Sequence, residues 1–144
     1  MIVAGIQMDI AWENPPANFR RVESMTPAAM GRMDHPGETW PVQVHGSADG
    51  TPDLLVLPEM FATGFSMNAE KVAAFAEETR AFLVALARKW EVHVLGGYAE
   101  PGRERPANAC SIFSPAGEEI LHFRKLHPFS MAGEDENYEG GDTL

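Results

Sequence analysis

The sequence predicts an α/β protein built on a mixed β-sheet, and three observations carry that expectation. Short apolar runs of strand length alternate with helix-periodic segments as far as residue 98, the order that gives parallel strands joined by helical crossovers. Two further runs, Asn108 to Phe113 and Ile120 to Arg124, flank the turn-forming Ser114-Pro-Ala-Gly-Glu118 and read as an antiparallel hairpin. The composition, 44% hydrophobic and 9% aromatic, is that of a chain able to bury a core.

Ile2 to Met8 is apolar almost throughout, which suggests a strand covered on both faces. Asn14-Pro15 opens a helix: the Asn14 amide oxygen can accept from an orphan backbone N–H, and Pro15 loses nothing at the first helical position. Continued to about Met30, that helix aligns Phe19, Val22 and Met25 or Met30 in one apolar stripe. From Gly31 to Pro52 the residues turn to Gly, Pro, His, Asp and Ser, expected as a surface loop inserted in a single domain. A linker between domains is disfavoured, because residues 1–30 cannot bury a core alone.

Asp53 to Leu57 returns to a buried-strand pattern that Pro58 stops. Asn68 is placed to cap a helix from Ala69 to Trp90, with Val72, Phe75, Ala76, Phe82, Leu83 and Leu86 at helical spacing and Glu70, Lys71, Glu77, Glu78, Arg80 and Arg88 facing water. Val92 to Tyr98 reads as a third strand, and Gly96-Gly97 within it as a site of close packing or a bulge. The tail after Lys125 reads as an acidic loop, and Glu139-Gly-Gly-Asp-Thr-Leu144 ends on a turn that leads into another element. Residues 1–144 are therefore expected to be an incomplete domain, with helices for only one face of the sheet.

Several function classes are disfavoured. A formal net charge of −10, from 21 acidic against 11 basic side chains, repels phosphate backbones and anionic lipid, so neither nucleic acid nor a membrane is an expected partner. The longest apolar runs fall far short of the roughly 20 residues needed to span a bilayer. The amino terminus has no basic region before its apolar stretch and reaches Asp9 too soon for a signal peptide, and the single cysteine excludes an internal disulfide; both fit a cytoplasmic protein. His35, His45, His93, His122 and His127 show no metal-ligand spacing, and no metal is expected.

Two residues stand where chemistry is done in open α/β sheets, at the carboxyl ends of strands. Glu59 follows Leu54-Leu-Val-Leu-Pro58, with apolar Met60 and Phe61 beside it, and suits a general base as well as a water-facing strand end. Lys125 follows the strand Ile120 to Arg124, as an oxyanion donor or as a solvated surface cation. In the acidic run from Gly133 to Asp142, Asp135, Asn137 and Glu139 mimic the start of a calcium loop but lack its closing glutamate. Glu134 is the carboxylate expected to turn inward, towards Lys125 or a substrate, and Asp135, Glu136 and Glu139 are expected to be solvated. Cys110, in a strand among small neighbours, reads as a buried, inert thiol.

Together these segments resemble the nitrilase superfamily of carbon-nitrogen hydrolases, and within it the omega-amidases. The resemblance runs from Ile2-Val-Ala-Gly-Ile-Gln-Met8 through Asn18 and is strongest at Asp53-Leu-Leu-Val-Leu-Pro-Glu-Met-Phe-Ala-Thr-Gly-Phe-Ser-Met67. It resumes at Gly96-Gly97, Asn108, Pro115-Ala-Gly117, Phe123-Arg-Lys-Leu-His-Pro-Phe129 and Gly133 to Asp142. It implies an α-β-β-α sandwich, homodimers packed through outer helices, and a Glu-Lys-Cys catalytic set with no cofactor. Glu59 falls at the family's general base, Lys125 at its lysine and Glu134 at a further active-site glutamate. The family's nucleophilic cysteine would lie beyond residue 144, because Cys110 precedes the lysine. The chain alone is then expected to be inactive towards a small amide. The rival expectations are a catalytically dead fragment serving as an interaction module, and an unrelated α/β binding protein with Glu59 and Lys125 far apart.

Overall fold

The computed structural model describes residues 1–31, 42–45 and 50–142. Along the chain lie β1 (Val3–Ile6), α1 (Pro15–Ala29), β2 (Val42–His45), β3 (Leu54–Val56), α2 (Ala69–Ala73) and α3 (Ala76–Trp90). They are followed by β4 (His93–Glu100), β5 (Ala107–Phe113), β6 (Glu119–Arg124), a 3-10 turn at Ser130–Ala132 and α4 (Glu134–Asn137). The strands form one sheet in the order β2-β1-β3-β4-β5-β6. β1, β3 and β4 run parallel through helical crossovers, whereas β4, β5 and β6 form the antiparallel meander, so the sheet is mixed.

α1 starts as its sequence dictates, with the Asn14 side chain accepting from Ala17 N at 3.2 Å and Pro15 at the first position. α1 packs on β1 and α3 on β4, and the two helices meet where the Phe19 and Phe82 rings stack at 4.3 Å. The core between helices and sheet includes Ala4, Ile6, Val22, Leu55, Phe61, Leu83, Leu86 and Val94.

Three expectations need correction. β1 is covered on one face only: Ala4 and Ile6 are buried while Val3 and Gly5 are half-buried, and β3 repeats the pattern. Within residues 1–144, α1 and α3 cover the face that carries Ala4, Ile6 and Leu55. Within the segment read as a loop from Gly31 to Pro52, β2 pairs antiparallel with β1; its Val-Gln-Val-His alternation is a strand signal too short to stand out. The rest of that segment lies outside the described residues, apart from its first and last positions.

The single helix expected from Ala69 to Trp90 is broken at Ala74 and Phe75. α2 buries Ala69, Val72 and Ala73 against Met60, Ala99 and Tyr138, whereas α3 buries Leu83, Leu86 and Ala87 against the sheet core. One straight axis cannot serve both clusters. Asn68 stands at the start of α2 without a side-chain capping bond. The glycine pair of β4 serves close packing on both faces: a Cβ on Gly96 would lie 2.7 Å from Leu83, and one on Gly97 3.3 Å from the Glu59 Cα.

Candidate active site

β3 ends at Val56, and Leu57 continues its pairing by donating its N–H to Leu95 O at 2.9 Å. Pro58 then stops the strand, and the chain turns through Glu59 and Met60, whose φ of 52° lies in the left-handed region. Asn18 holds the far side of this turn. Fully buried on α1, its amide donates to Ala11 O and Ala62 O while its oxygen accepts from Ala11 N. The parallel order of β3 and β4 places Glu59 over Gly97, where the absence of a side chain lets the turn come close.

Lys125 is the residue after β6, and its backbone N–H donates to Asn108 O at 2.8 Å, extending the β5–β6 ladder. Its Nζ lies 2.8 Å from Glu134 Oε2 and 3.5 Å from Glu59 Oε1. The Asn108 amide nitrogen donates to both carboxylates, at 2.6 Å to Glu59 Oε1 and 3.2 Å to Glu134 Oε1. Thus three of the residues singled out from the sequence meet at one point, and the unrelated binding protein, which required Glu59 and Lys125 to be distant, is contradicted.

The two carboxylates differ in setting. Glu59 is 55% exposed, whereas Glu134 is 1% exposed and also accepts from Phe129 N at 2.6 Å. Burial pushes the Glu134 carboxyl up, but the Lys125 ammonium, the Phe129 N–H and the Asn108 amide outweigh it, leaving it below the ordinary carboxylate range. Burial likewise pulls the Lys125 ammonium down, and the Glu134 hydrogen bond with the charge of Glu59 reverses this, so Lys125 stays cationic above the ordinary lysine range. The Phe65 ring lies 5.6 Å from Nζ and packs edge-on against Tyr138, whose buried hydroxyl donates to Ser66 O and is pushed up to about 12 by burial.

A cavity of about 250 Å³ opens at this point, bounded by Glu59, Asn108 and Lys125 and floored by Leu57, Leu95 and Phe123. Glu134 does not line it. Its Oε2 accepts from both Lys125 Nζ and Phe129 N, which ties the lysine to the start of the acidic segment. Cys110 also reaches the cavity, half-buried, and desolvation raises its thiol pKa, which disfavours the reactive thiolate. A larger groove of about 650 Å³ lies near Arg103, Arg124 and Glu139, but its cations are engaged, Arg103 with Asp142 at 3.0 Å and Arg124 with Glu100 at 2.5 Å.

Glu139 overturns the expectation of a solvated carboxylate. It accepts from the backbone N–H groups of Arg103, Glu104 and Arg105, and these bonds hold its pKa down at about 2. Nothing in the local sequence signals this, because its partners are backbone groups more than thirty residues away. Asn108 gave a fainter signal, an amide within a strand of otherwise small and apolar residues.

Comparison with known proteins decides the family. The family model described as carbon-nitrogen hydrolase matches residues 2–143. This chain belongs to the carbon-nitrogen hydrolase family. Among its curated relatives, omega-amidase YafV of Escherichia coli is 26% identical over 139 residues, 96% of this chain and 46% of that protein. Omega-amidase YafV of Yersinia enterocolitica is 29% identical over 140 residues, 94% of this chain and 45% of that protein. The chain thus spans about half the length of these relatives. A carbon-nitrogen hydrolase from Helicobacter pylori superposes with a TM-score of 0.77 at 19% identity, covering 99% of this chain and 45% of the other. A CN-hydrolase superfamily protein from Xanthomonas campestris gives 0.77 at 20% identity, covering 100% and 48%. The fold is that of the carbon-nitrogen hydrolases. Among the described residues no helix is long and apolar enough to cross a membrane, and no three His, Cys, Asp or Glu side chains gather as metal ligands.

Proposed function

We propose that these residues carry the general base and the oxyanion-stabilising cation of a hydrolase that cleaves a small linear amide in the manner of an omega-amidase. The nucleophilic cysteine is supplied from outside residues 1–144. One observation carries the reading: Lys125 Nζ lies 3.5 Å from the half-exposed Glu59 carboxylate at the edge of a mostly apolar cavity.

In the proposed reaction Glu59 takes the proton of the cysteine thiol, and the thiolate attacks the amide carbon. Lys125, held cationic by Glu134, faces the oxyanion of the tetrahedral intermediate, where one preorganised donor is worth about 3 kcal/mol. Collapse breaks the carbon–nitrogen bond, Glu59 returns its proton to the leaving nitrogen, and ammonia departs from a thioester. Glu59 then removes a proton from water, whose oxygen attacks the thioester; collapse breaks the carbon–sulfur bond, and Glu59 passes that proton to the departing thiolate, releasing the acid and regenerating the thiol. No metal or organic cofactor enters these steps. The small amide is the proposed partner, the cytoplasm the proposed location, and homo-oligomerisation through outer helices the proposed assembly.

The test measures ammonia release from 2-oxoglutaramate by the protein in which residues 1–144 continue into their downstream coding sequence. Glu59→Gln is expected to lower kcat at least about 100-fold, the lower range for a lost general base. Full activity in that variant removes Glu59 from the mechanism. Absence of amidase activity in the whole protein, with a stable complex formed through this chain, would favour the interaction-module reading instead.

A further inference from the structure

Asn108 lies near the start of β5, 5% exposed, in register with Ala99 of β4. Its side-chain nitrogen carries two protons in fixed directions and serves two acceptors, Glu59 Oε1 at 2.6 Å and Glu134 Oε1 at 3.2 Å. Its backbone oxygen accepts the Lys125 N–H at 2.8 Å. One residue therefore touches all three charged members of the site.

The chemistry of an amide suits that place. Two carboxylates share one lysine, so the cluster carries an excess negative charge. A neutral donor between them offsets their repulsion without adding a cation that would compete for either. The support matters most for Glu59, because that side chain is 55% exposed and its contact with Lys125, at 3.5 Å, is the looser of the lysine's two ion pairs. Glu134 is already fixed by Phe129 N and Lys125.

Resting on the proposed reaction, we infer that Asn108 is a positioning residue that fixes the Glu59 carboxylate over the cavity and beside Lys125. It acts through Glu59 and forms no bond with the substrate. Misplacing a reacting group by about 1 Å lowers a rate about 100-fold, so the orientation of a half-exposed side chain is worth holding.

The test uses the whole protein and compares Glu59→Gln, Asn108→Leu and Asn108→Asp with the parent for kcat, KM and the pH dependence of kcat/KM. Asn108→Leu keeps the four-atom branched side chain and removes the donors; kcat is expected to fall about 100-fold with KM changed little. Asn108→Asp puts a third carboxylate beside Glu59, and the acid limb of the kcat/KM profile is expected to move to higher pH. A purely structural role would lower stability and leave that limb in place. Inactive Glu59→Gln with parental kinetics in both Asn108 variants overturns the inference and leaves the reaction standing, whereas active Glu59→Gln overturns the reaction itself. Should neither Asn108 variant fold, the parent decides: the Asn108 side-chain nitrogen resonance must shift through the pH of the acid limb, and an unmoved resonance overturns the inference.

Discussion

Lys125 Nζ and Glu134 Oε2 lie 2.8 Å apart, with the glutamate enclosed and the lysine one-third exposed. The enclosed partner is fixed in place, and the exposed one is presented to the cavity.

Replacing Glu134 by Gln is expected to lower stability by about 2–3 kcal/mol at pH 7, less than a fully enclosed pair because Lys125 is partly solvated. Urea denaturation reads this. The Glu134 carboxyl is lowered on folding, so its contribution is present above the ordinary carboxylate value and lost as pH falls through the folded value. The Lys125 ammonium is raised, so its contribution is present below the ordinary lysine value and lost as pH rises through the folded value. An unchanged urea midpoint at pH 7 would show that the pair stabilises nothing.

Glu139 ties the loop after β4 to the segment that carries Glu134, through three backbone bonds and its own N–H to Pro106 O. Its pKa falls from 4.5 to about 2 on folding, so the stability it provides is complete above pH 4.5 and disappears between there and pH 2. Glu139→Gln is expected to be less stable than the parent at pH 6 and to show a shallower loss between pH 4.5 and 2. Parallel acid-denaturation curves would contradict this.

A methyl group at Gly97 would meet the Glu59 Cα at 3.3 Å and Met60 N at 3.4 Å, both backbone atoms. Gly97→Ala is expected to lose about 1–2 kcal/mol by overpacking and to lower kcat of the whole protein through the displaced Glu59. Gly96→Ala presses instead on the Leu83 side chain at 2.7 Å, away from the site. It should reduce thermal stability with a smaller effect on kcat, and equal kcat losses in the two variants would break the distinction.

Asn18 satisfies three backbone groups of Ala11 and Ala62 in a fully buried position. Asn18→Leu leaves them without that partner and is expected to cost at least about 2 kcal/mol in chemical denaturation.

Desolvation raises the Cys110 thiol, so iodoacetamide at pH 7 should label it more slowly than a free thiol of ordinary pKa. In the whole protein, peptide mapping should find the first labelled cysteine outside residues 1–144. Fastest labelling at Cys110 would contradict the placement of the nucleophile.

The sequence by itself determined the elements whose causes are local. Asn14-Pro15 starts α1, Pro58 stops the strand before Glu59, and the turn at Ser114 to Glu118 closes the β5–β6 hairpin with Gly117 at a φ of 77°. It also marked Glu59 and Lys125 as strand-end candidates, whereas their placement with Glu134 in one site was what the resemblance to the nitrilase superfamily implied.

Only the tertiary structure decided what depends on distant partners. Glu134 became a buried support for Lys125, Glu139 a clamp on backbone N–H groups, and Asn108 the link between two carboxylates 49 and 26 residues away. The helix from Ala69 broke because Met60, Ala99 of β4 and Tyr138 gathered a second apolar cluster, separate from the one that α3 covers. Periodicity records which face of a segment is apolar, whereas the partner that covers it is fixed only when β3, β4, β5 and β6 bring their ends together.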